Sequence, residues 1–249
     1  TQTCSDLRDT VDRTMTSAAD PPDRPSQGEL HGAQMAVPTS VSMSGHLADL
    51  SPANFGMVMA TGIVSLASHM MLMPALASGL FRLNIVVYAV LWCLTVLRLV
   101  RYPRRFFGDM IDHLRGPGFF TTVAATCILG AQFVLLDANY RAATVLWVAA
   151  LVLWLGLTYT VFAGLTVKEH KPTLDKGISG GWLLAVVATQ SIAVLSALLA
   201  PHVLQPGKLE MNFLALSMWL WGGMLYIWMM SLIFYRYTFF PLSPGDLSP

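Results

Sequence analysis

Residues 118–137 read GFFTTVAATCILGAQFVLLD. No charged side chain interrupts this stretch until Asp137 at its end. A hydrocarbon core about 30 Å thick needs about 20 helical residues to cross it, and this run supplies them. Working outward, five more runs of the same kind stand at 53–73, 83–100, 142–167, 180–200 and 212–236. No acidic or basic group falls near the middle of any of them. Arg98 sits close enough to an end for its side chain to reach lipid headgroups. The whole chain is 55% apolar and 12% charged, with a mean hydropathy of +0.58. Soluble domains carry roughly twice that charge fraction, so a water-soluble globular protein is excluded. A formal charge of +1 lacks the basic excess that phosphate contacts require, so no nucleic acid is expected as a partner. Cys4, Cys93 and Cys127 give neither a disulfide framework nor metal-ligand spacing. The fold class is therefore all-α: a polytopic helical membrane protein with six crossings.

The average conceals a division near residue 52. Residues 1–52 hold three arginines against seven acidic residues, rich in Pro, Ser, Thr and Gly and without an amphipathic period. Such a segment cannot bury enough apolar area to offset its ordering entropy, so a disordered polar tail is expected. Residues 53–249 form the transmembrane domain. Lys and Arg ahead of the first span and in the connections alternate between many and few, with twelve collecting on one side of the membrane and three on the other. By the positive-inside rule both termini are cytoplasmic, and the protein is a multi-pass component of the cell membrane.

The odd-numbered spans repeat one another. They open at Pro52, Pro117 and Gly180, and nine residues later each carries Ala-Thr: Ala60-Thr61, Ala125-Thr126 and Ala188-Thr189. The threonines are 65 and 63 residues apart, and Phe55, Phe120 and Leu183 stand six positions before them. Asp246-Leu247-Ser248-Pro249 copies Asp49-Leu50-Ser51-Pro52 where a fourth unit is due to open. Each unit is a two-helix hairpin, and repetition of this kind places equivalent helices at equivalent radial positions.

Six of the seven tryptophans (Trp92, Trp147, Trp154, Trp219, Trp221 and Trp228) lie on even spans, and only Trp182 on an odd one. Tryptophan favours lipid-facing and interfacial sites. The odd spans carry the mid-membrane polar groups, together with Gly62 and Gly130, which permit close helix approach. Odd helices are thus expected around a central axis, with even ones outside. The candidate pore lining is Thr61, Ser65, Thr126, Thr189 and Gln190, whose hydroxyl and amide donors replace part of an anion's hydration shell. Each hydroxyl has the alternative of bonding its own helix or a neighbour. Arg101, Arg104, Arg105 and Arg115 form a candidate anion-attracting cytoplasmic mouth, or else only fix topology. Cation filters use carbonyl or carboxylate rings, and proton relays use mid-membrane Asp, Glu or His; the middles of the spans contain none of these side chains. All six histidines fall in the tail, loops or span ends, so neither haem nor another cofactor is expected. Asp109, Asp112 and His113 are read as a solvated turn ahead of Pro117.

Ser51-Pro52-Ala53-Asn54-Phe55-Gly56-Met57, Gly116-Pro117-Gly118-Phe119-Phe120-Thr121 and Gly180-Gly181-Trp182-Leu183 with Ala188-Thr189-Gln190-Ser191 carry a resemblance. From about residue 49 onward the chain resembles the tellurite-resistance/dicarboxylate transporter family, which includes bacterial TehA, fungal malate and sulfite carriers and plant slow-type anion channels. The resemblance implies ten helices as five hairpins, an anion pore among the odd helices, frequent trimers and a pore-plugging phenylalanine on the ninth helix. This chain ends after six of those helices, so no gate residue carries over. The His-Pro common ahead of the family's third helix is here His113-Leu114-Arg115-Gly116-Pro117, which leaves His113 without an assigned role.

The expected function is an anion channel or facilitative carrier, not an enzyme, for chloride, nitrate, sulfite, a tellurite-related ion or a dicarboxylate such as malate. A non-transporting fragment or scaffold, and a membrane-embedded enzyme subunit, are the alternatives.

Overall fold

The computed structural model describes residues 50–169, 173 and 177–241. The expected disordered tail and the Asp246–Pro249 echo lie outside these residues, apart from the tail's last three positions. Among the described residues all regular structure is helical. Seven α-helices occur: α1 (Gly56–Met70), α2 (Pro74–Arg101), α3 (Pro103–Met110), α4 (Phe120–Leu136), α5 (Tyr140–Val167), α6 (Leu183–Leu199) and α7 (Gly207–Phe239).

Helices α2, α5 and α7, together with α4 and α6 and their flanking turns, are long and apolar enough to cross a membrane. The first span splits differently. A 3-10 turn at Pro52–Phe55 leads into α1, which has only 15 residues. α2 begins at Pro74, nine residues before the apolar run expected there, because Pro at the first helical position is pre-set for helix and the following residues are good helix formers. Arg82 and Asn84 therefore lie inside the helix.

The repeat is structural as well as sequential. Short 3-10 turns open at Pro52, Gly116 and Gly180, each 64 residues from the next, and each runs directly into an α-helix. The first two hairpins turn at residues with left-handed backbone, Leu72 (φ 60°) and Ala138 (φ 50°), 66 residues apart. Asn139 follows, and its side chain accepts from the Ala142 N–H at 3.1 Å to cap α5.

α1 packs on α2, α4 on α5 and α6 on α7, and the first members of these hairpins line up in the order α1, α4, α6. α4 is buried along most of its length and α6 along about half of it. By contrast α2, α5 and α7 are largely exposed. Burial thus puts α4 and α6 inside and α2, α5 and α7 outside, where the polar and tryptophan patterns put them, while α1 is buried only at Val58, Gly62, Ser65 and Ser68.

Glycines let the inner row close up. A Cβ at Gly62 of α1 would collide with Cγ2 of Ile128 on α4, and one at Gly130 of α4 would stand 2.7 Å from Cδ2 of Leu195 on α6. The two contacts repeat at intervals of 68 and 67 residues. Ile128 is β-branched and cannot swing aside as freely as Leu195. Gly62→Ala is expected to cost about 1–3 kcal/mol by overpacking, and Ile128→Ala in the same chain to recover part of it. Thermal unfolding of the purified protein in detergent measures both.

Candidate functional site

The site is assembled from the inner row. Along one side of α1, α4 and α6 runs an open groove of about 930 Å³. Ala60, Ile63 and Val64 line it from α1, Ile128 and Ala131 from α4, and Val187, Gln190, Ser191 and Val194 from α6. The lining is small and apolar, with polar atoms mainly on α6. No Asp, Glu, Lys, Arg or His lines it. An ion would meet a low-polarity wall with few strong ligands, which suits passage better than retention.

The groove is not where the expected threonines point. Thr126 is fully buried; its hydroxyl donates to the Thr122 carbonyl at 2.7 Å and receives the Tyr88 hydroxyl of α2 at 2.9 Å. Thr189 is equally buried; it donates to the Ala185 carbonyl and receives the Trp154 indole N–H of α5, both at 2.9 Å. Ser65 donates to the Ala77 carbonyl of α2 at 2.8 Å. Thr61 is half-buried, one residue beyond the groove-lining Ala60. Of the five candidates only Gln190 lines the groove, and its amide donates to the Trp219 carbonyl of α7 at 3.1 Å. A Cβ at Gly222 of α7 would lie 2.5 Å from that amide, so Gly222 provides the notch in which Gln190 sits.

The physical reason is the indole and phenol groups across the interface. A buried Trp N–H or Tyr O–H in an apolar setting costs several kcal/mol unless it is bonded. The hydroxyl of the next inner helix is the acceptor in reach. Trp154 accordingly turns inward, against the expectation that tryptophans on the outer helices face lipid. Trp219, Trp221 and Trp228 of α7 are exposed as expected.

Each junction between successive hairpins has two such rungs. Tyr88 with Thr126, and Asn84 donating to Gln132 at 2.6 Å, join the first hairpin to the second. Trp154 with Thr189, and Trp147 donating to Ser196 at 2.7 Å, join the second to the third. Of the inner-helix residues Thr126 and Thr189 were recognisable by their 63-residue spacing; Gln132, Ser196 and the outer partners were not. Tyr88 and Trp154, 66 residues apart, carry the same period with different side chains.

Of the arginines, Arg101, Arg104, Arg105 and Arg115 are exposed where α2 ends and α4 opens. Arg98 does not reach for headgroups. It is buried and pairs with Asp109 at the end of α3, and Arg115 meets the same carboxylate at 3.2 Å. Asp112 folds the following turn, accepting from the Leu114 and Arg115 N–H groups at 2.9 and 3.0 Å. Among the described residues no group of three or more His, Cys, Asp or Glu side chains is placed to hold a metal.

The model of the voltage-dependent anion channel family (SLAC1) matches residues 49–249. The chain belongs to this family. It is similar to two uncharacterized transporters of Methanocaldococcus jannaschii. One is 26% identical over 83% of this chain and 61% of its own length; the other is 24% identical over 80% and 58%. The chain thus spans about three fifths of the length of these relatives. No solved structure matches it. Family membership and the long apolar helices together make it a multi-pass membrane protein.

Removing the Thr189 hydroxyl leaves the Trp154 N–H buried without an acceptor. Thr189→Val is expected to lower stability by about 1–2 kcal/mol, while Thr189→Ser, which keeps the acceptor, stays close to the parent. Denaturation in mixed micelles, followed by tryptophan fluorescence, distinguishes the two.

Proposed function

We propose that this chain supplies three hairpins of an anion-conducting unit and that small anions pass along the groove between α1, α4 and α6. The observation that carries the reading is the groove itself: it lies on the inner helices, runs alongside all three and is lined by no Asp, Glu, Lys, Arg or His. A permeating anion then meets a weak donor in the second amide proton of Gln190, since the Ser191 hydroxyl donates to the Val187 carbonyl at 2.7 Å, and no site strong enough to hold it. In this reading Ser65, Thr126 and Thr189 act indirectly, by fixing the inner helices to the outer ones. The groove is open on one side, so conduction requires it to be closed by further hairpins of the same kind. The full assembly has α1 and its opening turn as a sixth crossing, both ends of the hairpin array on the cytoplasmic side, and a trimer as its oligomer. Substrates in keeping with a weakly polar path are chloride, nitrate, sulfite and small dicarboxylates such as malate, with tellurite-related ions in the same class.

Bulk in the groove tests this. In liposomes holding the chain extended to the length of its relatives, Ile128→Trp or Val187→Trp is expected to cut anion efflux at least about tenfold, since a filled conduit excludes a hydrated ion. Val152→Trp, on the exposed side of α5, leaves efflux unchanged. Equal efflux from all three variants would remove the groove as the path, and absence of efflux from the extended parent would leave a scaffold role.

A further inference from the structure

The connection between α2 and α4, whose arginines the sequence offers as an anion-attracting mouth, also carries the features of a lipid-facing surface. Eighteen positions, Arg98 to Arg115, contain five arginines and two aspartates, a net charge of +3 (5 − 2). Asp109 is committed to Arg98 and Arg115, and Asp112 to its own turn. Arg101, Arg104 and Arg105 are exposed and have no ion pair among the described residues; Arg105 lies over the Tyr102 ring, 5.9 Å from its centroid. Helix α3, which carries Arg104 and Arg105, is two-sided. Phe106 and Met110 of α3 are buried, Phe106 against Phe119 at 5.1 Å between ring centroids, so the helix is fixed on the protein. Its neighbours turn the other way: Phe107 is 53% exposed, and Leu114 beyond the helix is 61% exposed.

Position decides what these groups meet. α2 ends at Arg101 and α4 is opened by the turn at Gly116, so α3 lies at the membrane face between two helix ends. Exposed apolar rings at that level enter the boundary of headgroups and acyl chains, and the arginines beside them reach the phosphate layer.

We propose that α3 and the end of α2 bind anionic phospholipid headgroups, with Arg101 of α2 and Arg104 and Arg105 of α3 taking the phosphates and Phe107 inserted beside them. Guanidinium is suited to this because its planar donors pair with phosphate oxygens two at a time. The inference is independent of whether the groove conducts.

The test is native mass spectrometry of the full chain in detergent, titrated with phosphatidylglycerol or phosphatidylcholine. The parent is expected to retain phosphatidylglycerol in preference to phosphatidylcholine. Each arginine near an anionic surface is worth about fivefold, so the triple change R101Q/R104Q/R105Q is expected to weaken phosphatidylglycerol retention about a hundredfold. The corresponding triple lysine chain keeps only part of it, since charge is preserved but the paired donors are lost, and Phe107→Ser also loses part. All four side chains are exposed, and an unchanged melting temperature in the variants shows that the fold is intact. Equal retention of the two lipids, or retention unaffected by R101Q/R104Q/R105Q, would overturn the proposal. So would displacement of the lipid by millimolar inorganic phosphate, which would make the arginines a site for a soluble anion. A fourth overturning result is reduced anion efflux from the triple variant with lipid retention intact, which would make them a funnel for the permeating ion.

Discussion

A polar side chain in the middle of a membrane-spanning helix has no water to turn to, so it must bond its own helix or a neighbouring one. In this chain that constraint joins one hairpin to the next. Thr126 and Thr189 are one helical layer in from the lipid, each satisfied by its own preceding turn and each receiving a donor from the outer helix of the preceding hairpin. Apolar packing alone cannot specify which helices meet, because lipid tails are as apolar as leucine. Hydroxyl–aromatic and amide–amide rungs do specify it. They set the order α1, α4, α6, and that order leaves the groove on the other side.

Small residues complete the arrangement. Gly62 against Ile128 and Gly130 against Leu195 bring the inner helices close, and Gly222 admits Gln190 between α6 and α7. The row is dense on the side facing the outer helices, with Thr126, Gln132, Thr189 and Ser196 all buried there. On the groove side the same helices offer Ala, Val and Ile. Under the conduction proposal, selectivity along such a wall comes from the absence of fixed charge and from width rather than from a ring of ligands.

At the membrane face the physics changes, because water and headgroups are within reach. Here the charged residues gather: Arg98 with Asp109 inside, Arg115 on the same carboxylate, and Arg236 of α7 donating to the Ile178 carbonyl ahead of α6. Arg98 and Arg236 tie the ends of outer helices to the segments that open inner ones. The helix α3 is held in place by this network and by Phe106.

The sequence by itself determined the membrane class, the hairpin repeat and the division into inner and outer helices. These depend on composition and period, which each residue carries wherever it lies in space: twenty uncharged residues need a bilayer, and three Ala-Thr pairs at a near-constant interval need equivalent places. The family likeness was legible for the same reason, in short motifs at the openings of the odd spans. What only the tertiary structure decided is direction. A threonine at a repeated position has two sides of a helix available to it, and which it takes depends on the partner opposite, here Tyr88 or Trp154. Those partners share a place and a donor but not a side-chain type, so no pattern in the chain announced them. Arg98 is the same case at the membrane face: its route to the headgroups was open in one dimension and closed in three, because α3 folds back to bring Asp109 against it.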